Sequence, residues 1–174
     1  LIYSFLNFLN AKELKLHDFK NLHSKVFFMR HALAPGNGDP ENFKLDDCST
    51  QRNLSNVGIN QAREISKEFT RYDVKFTKVY SSYWCRCYET VKSMGLKNYQ
   101  LHNGLNSFYQ NHVSKKEVMK DLRNLISSLG KKQGPYLFVT HYVVIGSYTK
   151  IFPDSGGIVV HDLNSKSNHA LQLF

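Results

Sequence analysis

Residues 25–31 read KVFFMRH and residues 136–141 read YLFVTH. Both are short apolar runs rich in β-formers, of the length of a buried strand, and both end in a histidine. The chain around them alternates between strand and helix signals. Ser55 is placed to cap a helix over 56–72, where Val57, Ile59, Ala62, Ile65 and Phe69 form a broad apolar face. Lys78–Ser82 reads as a strand, 83–94 as a helix that stops at Gly95, and Tyr99–His102 as a further strand. After an irregular stretch to Val113, Ser114 caps a helix carrying Val118, Leu122, Leu125, Ile126 and Leu129, which ends at Gly130. A short helix is expected over 143–151, before Pro153, then a hairpin of 158–163 and 170–174. Such alternation implies a layered α/β fold on a mostly parallel central sheet. Ligands bind such sheets beyond the carboxyl ends of the strands, so His31 and His141 are expected on one rim.

A length of 174 residues suits one domain, and 41% hydrophobic residues suffice for a core. Lys and Arg number 23 against 14 Asp and Glu. The formal net charge of +9 attracts anions: nucleic acid, anionic lipid or phosphorylated molecules. No run approaches the ~20 apolar residues that cross a bilayer. Three cysteines are too few for a disulfide scaffold, and none has zinc-knuckle spacing. Neither a repeat nor a Pro/Gly/Ser-rich linker divides the chain, so residues 1–24 are read as an N-terminal segment and 25–174 as the domain. Leu1–Ala11 (LIYSFLNFLNA) is apolar, uncharged and ends in a small residue; it reads as the trimmed core of a signal peptide. That reading predicts a periplasmic or secreted protein. The alternative is an amphipathic first helix on the core of a cytoplasmic one.

FFMRHALAPG (27–36), LSNVGINQAREI (54–65), YSSYWCRCYET (80–90) and FVTH (138–141) follow the order of the signature blocks of the histidine phosphatase superfamily. The stretch from Lys25 to Ile151 resembles branch 1 of that superfamily, the phosphoglycerate mutase-like group. The runs GDPENFKLDDCSTQRNLS, WCRC and LNSF resemble a subgroup of small, often exported members. The resemblance implies a three-layer α/β/α sandwich and a metal-independent phosphatase without a cofactor, acting on a phosphorylated small molecule or phosphoprotein. It makes His31 the nucleophile that becomes phosphorylated and Arg30 a holder of phosphoryl oxygens. Arg86 falls in the Ser-x-x-x-Arg-x-x-x-Thr block from Ser82 to Thr90, and His141 matches the second histidine of the pocket. Ala32 stands where the signature usually has glycine. The chemistry of the set is coherent. A neutral imidazole attacks phosphorus, guanidinium groups grip the phosphoryl oxygens in pairs, and a protonated second histidine adds a donor.

Asn37 and Arg52 are candidate substrate contacts, although Arg52 is equally suited to pin its loop to Asp46 or Asp47. Many members of the superfamily protonate the leaving oxygen with a carboxylic acid after the Arg-bearing helix. The matching segment, Leu101–Asn111, has neither Asp nor Glu. Either the proton comes from Asp39, Glu41, Asp47 or His102, or the substrate has a good leaving group, as phosphohistidine, acyl phosphates, anhydrides and aryl phosphates do. The second route is favoured. Mutase activity is not expected of so short a chain. His17, His23, His112, His161 and His169 have no partners in sequence and are expected to face solvent. In an oxidising compartment Cys48 can pair with Cys85 or Cys87, tying the substrate loop to the helix of Arg86; buried free thiols are the alternative. The absent acid and Ala32 also admit a catalytically silent relative that binds a phosphorylated ligand or protein. Lys115, Lys116, Lys120, Arg123, Lys131 and Lys132 cluster in sequence, but no recognition motif accompanies them, and no nucleic-acid partner is expected.

Overall fold

The computed structural model describes residues 13–174, so the expectation for Leu1–Ala11 lies outside the described residues. Seven strands form one sheet: β1 (Leu14–Lys15), β2 (Lys25–Arg30), β3 (Lys78–Ser81), β4 (Gln100–Leu101), β5 (Tyr136–Thr140), β6 (Ile158–Asp162) and β7 (Asn168–Gln172). Their order is β1-β7-β6-β2-β5-β3-β4. β2, β5, β3 and β4 run parallel, whereas β6 is antiparallel to both β2 and β7. β1 extends the sheet beyond the expected start of the domain by pairing with β7. A two-residue strand has no periodicity to betray it in sequence.

Four helices cover the sheet: α1 (Asn56–Arg71), α2 (Cys85–Ser93), α3 (Lys115–Ser127) and α4 (Tyr142–Thr149). Successive strand residues point to opposite faces, and the core divides accordingly. Phe27, Met29, Leu137 and Val139 pack with Ala62, Ile65 and Phe69 of α1 and with Val91 of α2. Val26, Phe28 and Phe138 pack with Val118, Leu122 and Leu125 of α3 and with Val144 and Ile145 of α4. With both faces covered, the central strands are apolar on both sides, which is why β2 and β5 read as unbroken hydrophobic runs. The three-layer expectation holds.

Local chemistry sets the boundaries. The Ser55 hydroxyl accepts from the Gly58 amide and the Ser114 hydroxyl from the Glu117 amide, closing the first turns of α1 and α3. α2 starts two residues later than expected. The amides of Tyr83 and Trp84 are taken by Asn106 Oδ1 and Ser82 Oγ, which holds those residues out of the helix. α4 stops at Thr149 because Lys150 adopts a left-handed φ of 67°. One histidine departs from expectation: His161 is buried, not solvent-facing, with Nδ1 2.8 Å from Asn168 Oδ1. β6 lies inside the sheet between β2 and β7, so its side chains meet protein on both faces; the His161 ring packs on Tyr148.

The register that matters for function is that of β2 with β5. Phe28 lies opposite Phe138 and Arg30 opposite Thr140, so both strands end level, and the His31 amide donates to the Thr140 carbonyl at 2.9 Å.

Candidate active site

His31 and His141 therefore leave adjacent strands at one rim, with ring centroids 5.5 Å apart. They lie at the floor of a narrow cleft lined also by Arg30, Gly36, Asn37, Gly38, Asp39, Arg52, Arg86, Ser107, Tyr109, Gln110, His112 and Tyr142. Both histidines are 2% exposed. Nδ1 of His31 is 2.8 Å from the Ala32 carbonyl, which can only accept. The ring proton thus sits on Nδ1 and leaves the lone pair on Nε2. Burial, with the positive charges of Arg86, Arg52 and Arg30, holds the His31 pKa well below the ordinary histidine range. Near neutral pH the imidazole is uncharged, with Nε2 free.

His141 is set by a different chain of bonds. Asn106 Oδ1 accepts from the Tyr83 amide and from the Ser82 hydroxyl, so the Ser82 oxygen is left to accept from His141 Nε2 at 3.1 Å. Burial and the charges of Arg86, Arg52 and Arg30 push the His141 pKa well below its usual value, with His31 adding to the effect. The sequence expectation of a protonated second histidine concerns the transition state, where phosphoryl oxygens bring negative charge beside it; next to the three arginines alone the imidazole is neutral.

Arg86 is carried on the first turn of α2 and is 3% exposed. Its Nη1 and Nη2 donate to the two carboxylate oxygens of Asp39 at 2.7 and 3.2 Å, a bidentate buried pair. Asp39 also accepts from the Trp84 indole at 2.9 Å and from the Arg52 amide at 3.0 Å. Burial pushes the Asp39 carboxyl up, but the bonds and charge of Arg86, with the Arg52 amide and the Trp84 indole, outweigh it and hold the carboxyl below its usual range. This removes Asp39 as a proton donor. Its proton is gone and both oxygens are engaged. Glu41 is exposed outside the cleft, and Asp47 caps the turn at Cys48–Thr50 by accepting from Ser49. His102 faces away too, accepting from the Gly104 amide through Nδ1. None of the four sequence candidates for the acid is available.

Arg52 lines the cleft, and its second role is also real, with different partners. Its guanidinium donates to the carbonyls of Ala34 and Gly38 rather than to Asp46 or Asp47. The loop can curl around it because Gly36 and Gly38 adopt φ of 92° and 65°, a conformation that favours glycine. Asn37 is exposed at the mouth. Arg30 donates to the Pro153 carbonyl at 3.2 Å and lies 5.0 Å over the Tyr142 ring. Among the described residues, Nε of Arg30 and Nε of Arg86 are buried donors without a hydrogen-bond partner. Such groups are costly unless something else accepts from them.

Cys48 is disulfide-bonded to Cys85, closing a loop of 37 residues in sequence separation. The bridge joins the loop after His31 to α2 one residue before Arg86. Cys87 is the free thiol, buried 3.4 Å from His141 Nε2, and burial pushes its pKa up to about 12. A thiol of that acidity is inert as a nucleophile near neutral pH.

Sequence reasoning did not single out Ser107, Tyr109, Gln110 and His112, which line the cleft from the irregular segment between β4 and α3, where no periodicity assigns a direction, nor Tyr142 at the start of α4. His112 is exposed, as expected, but it is not idle: its ring stacks on Phe43 at 4.3 Å and lines the mouth. The signal in sequence was its position, immediately after the segment searched in vain for a carboxylate.

No protein-family model matches the chain, and neither does any curated protein sequence. Solved structures do. The protein histidine phosphatase SixA complexed with tungstate superposes with a TM-score of 0.58 at 17% identity, over 84% of this chain and 93% of that one. The native mycobacterial glucosyl-3-phosphoglycerate phosphatase Rv2419c gives 0.55 at 14% identity, over 84% and 96%. Phosphoserine phosphatase from Entamoeba histolytica, in complex with 3-phosphoglyceric acid, gives 0.56 at 15%, over 84% and 94%. The chain has the phosphoglycerate mutase-like fold of these phosphatases.

Proposed function

We propose that the chain is a phosphatase that works through a phosphohistidine on His31, on substrates whose leaving group is better than an alkoxide. One observation carries this reading: a buried neutral imidazole with Nε2 free shares a cleft with the guanidinium groups of Arg30, Arg52 and Arg86. Less the Asp39 carboxylate, these leave a formal surplus of two positive charges for a phosphate dianion. In the first step the Nε2 lone pair forms a bond to phosphorus as the bond to the leaving group breaks. In the second, water takes the phosphoryl group from His31. A dianion in the cleft raises the pKa of His141, so its protonated form belongs to the liganded state.

The leaving-group preference rests on the cleft lining. Its single carboxylate among the described residues, Asp39, is ionised and paired. The fold shared with SixA, a protein histidine phosphatase, adds phosphohistidine to the substrates to be tried. The disulfide supports an oxidising compartment, and with it the export read from Leu1–Ala11 and the small exported subgroup that the motifs resemble.

The test is phosphate release, in the presence of a chelator, from nitrophenyl phosphate, acetyl phosphate, phosphohistidine and glycerol phosphate. Release from the first three, with the alkyl ester slowest, is expected. Binding without release from any of them contradicts the reading and leaves a silent phosphate-binding relative.

A further inference from the structure

We infer that His112 delivers the proton to the leaving group, an inference that rests on the phosphatase reading of the cleft. His31, His141, Arg86 and Ser107 are buried at the floor; Arg30, Asp39, Arg52 and Tyr142 are half-buried walls; Asn37, Tyr109, Gln110 and His112 are exposed at the mouth. In-line displacement puts the leaving group on the side of phosphorus opposite His31 Nε2. With the nucleophile on the floor, that group points to the mouth. Asn37 and Gln110 are amides and have no proton to transfer, and a phenol is in general a poorer proton donor than an imidazolium. An imidazolium is the side chain suited to give one up there.

The His112 ring is held, although its backbone belongs to a loop. It stacks on Phe43 with an interplanar angle of 27°, and Phe43 stacks on Trp84 at 5.2 Å. Trp84 is fully buried, and its indole donates to the Asp39 carboxylate that grips Arg86. One continuous stack thus links the mouth to the network that fixes the cleft wall. An exposed histidine without a task needs no such support.

The step balances. The bond from His31 Nε2 to phosphorus forms, the bond from phosphorus to the leaving oxygen or nitrogen breaks, and its electron pair takes the proton of the His112 imidazolium. Neutral His112 then accepts a proton from the water that attacks phosphohistidine, the pair of the phosphorus–nitrogen bond returns to Nε2, and His112 is recharged. An imidazolium donor suits phenol and imidazole leaving groups, which need modest help, more than alkoxides.

The test uses native protein, His112→Gln and His112→Ala with dinitrophenyl, nitrophenyl and phenyl phosphate, reading kcat/KM, which reports the phosphorylation step. The proposal predicts a loss of about threefold with dinitrophenyl phosphate and of ~10²-fold or more with phenyl phosphate, so that the dependence on leaving-group acidity steepens. Turnover of the dinitrophenyl ester also shows that each variant is folded. An equal loss on all three esters assigns His112 to positioning and overturns the proposal, as does no loss on any. Native protein inactive on all three overturns the phosphatase reading itself, and this inference with it.

Discussion

The floor and the mouth of the cleft are built by different means. On the floor, His31 and His141 follow paired parallel strands, and their placement is dictated by the register of Arg30 opposite Thr140. Backbone hydrogen bonds over whole strands fix that geometry. At the mouth, Asn37, Tyr109, Gln110 and His112 sit on loops held by a few side-chain bonds, by the Phe43–His112 stack and by the Cys48–Cys85 bridge. On the proposed function, the floor would set the reaction and the mouth what reacts. Substitutions on the floor should therefore cost rate on every substrate, whereas those at the mouth should change discrimination between substrates.

The sharpest test of that division is Arg86→Lys. Lysine keeps the charge but loses the paired donors, and a loss of ~10²–10³-fold in kcat/KM is expected, equal across leaving groups. Dependence on the leaving group would move Arg86 to the mouth. Next comes Asp39→Asn, which leaves Arg86 as a buried charge without its counter-ion. The unliganded protein should lose about 3 kcal/mol of stability, measured by denaturant unfolding. Added phosphate should recover more of that loss than it adds to native protein, because it takes the vacated donors. Reduction of the bridge, or Cys48→Ser with Cys85→Ser, should cost about 2–4 kcal/mol by freeing the unfolded loop. Most of the activity change should appear in KM if the bridge serves the mouth.

Acid should produce smaller effects, and two regions respond in different windows. His31 and His141 have folded pKa values below the unfolded one, so below about pH 6.5 the unfolded chain takes up protons that the native floor refuses. Stability is full above that value and falls as pH drops through it. Saturating phosphate should flatten the slope. Far from the cleft, Asp162 pairs with Lys25 at 2.8 Å; burial pushes its pKa up, yet Lys25 and the Asn164 amide bring it to about 2. Its contribution, about 1 kcal/mol at a partly solvated site, is present above pH ~3.9 and lost as pH falls toward ~2. Lys25→Met should remove the lower step in thermal melts taken across pH and leave the upper one.

What sequence reveals follows the same division. Helices α1 and α3 were legible because burial on one face imposes periodicity, strands β2 and β5 because burial on both faces leaves unbroken apolar runs, and Ser55 and Ser114 mark helix starts by their own chemistry. The pairing of His31 with His141 on one rim was legible because strand ends in a parallel sheet share an edge. The partner of Asp39 was not. A residue in a Gly-rich loop 47 positions from Arg86 has nothing in sequence to give its direction. His112 was hidden for a related reason: its value comes from stacking on Phe43, a long-range contact between two irregular segments. His161 misled because nothing near it in sequence stands out as a partner, while the topology places β6 inside the sheet and brings Asn168 and Tyr148 to its ring.

The central claim is that His31 carries the phosphoryl group. It is tested most directly by rapid acid-free quenching of native protein and His31→Ala with labelled acetyl phosphate or nitrophenyl phosphate. The account predicts acid-labile, base-stable label on native protein, as a phosphoramidate shows, none on the variant, and a loss of turnover of about four orders of magnitude. Phosphate release by native protein without transient label, or undiminished release by His31→Ala, would contradict it.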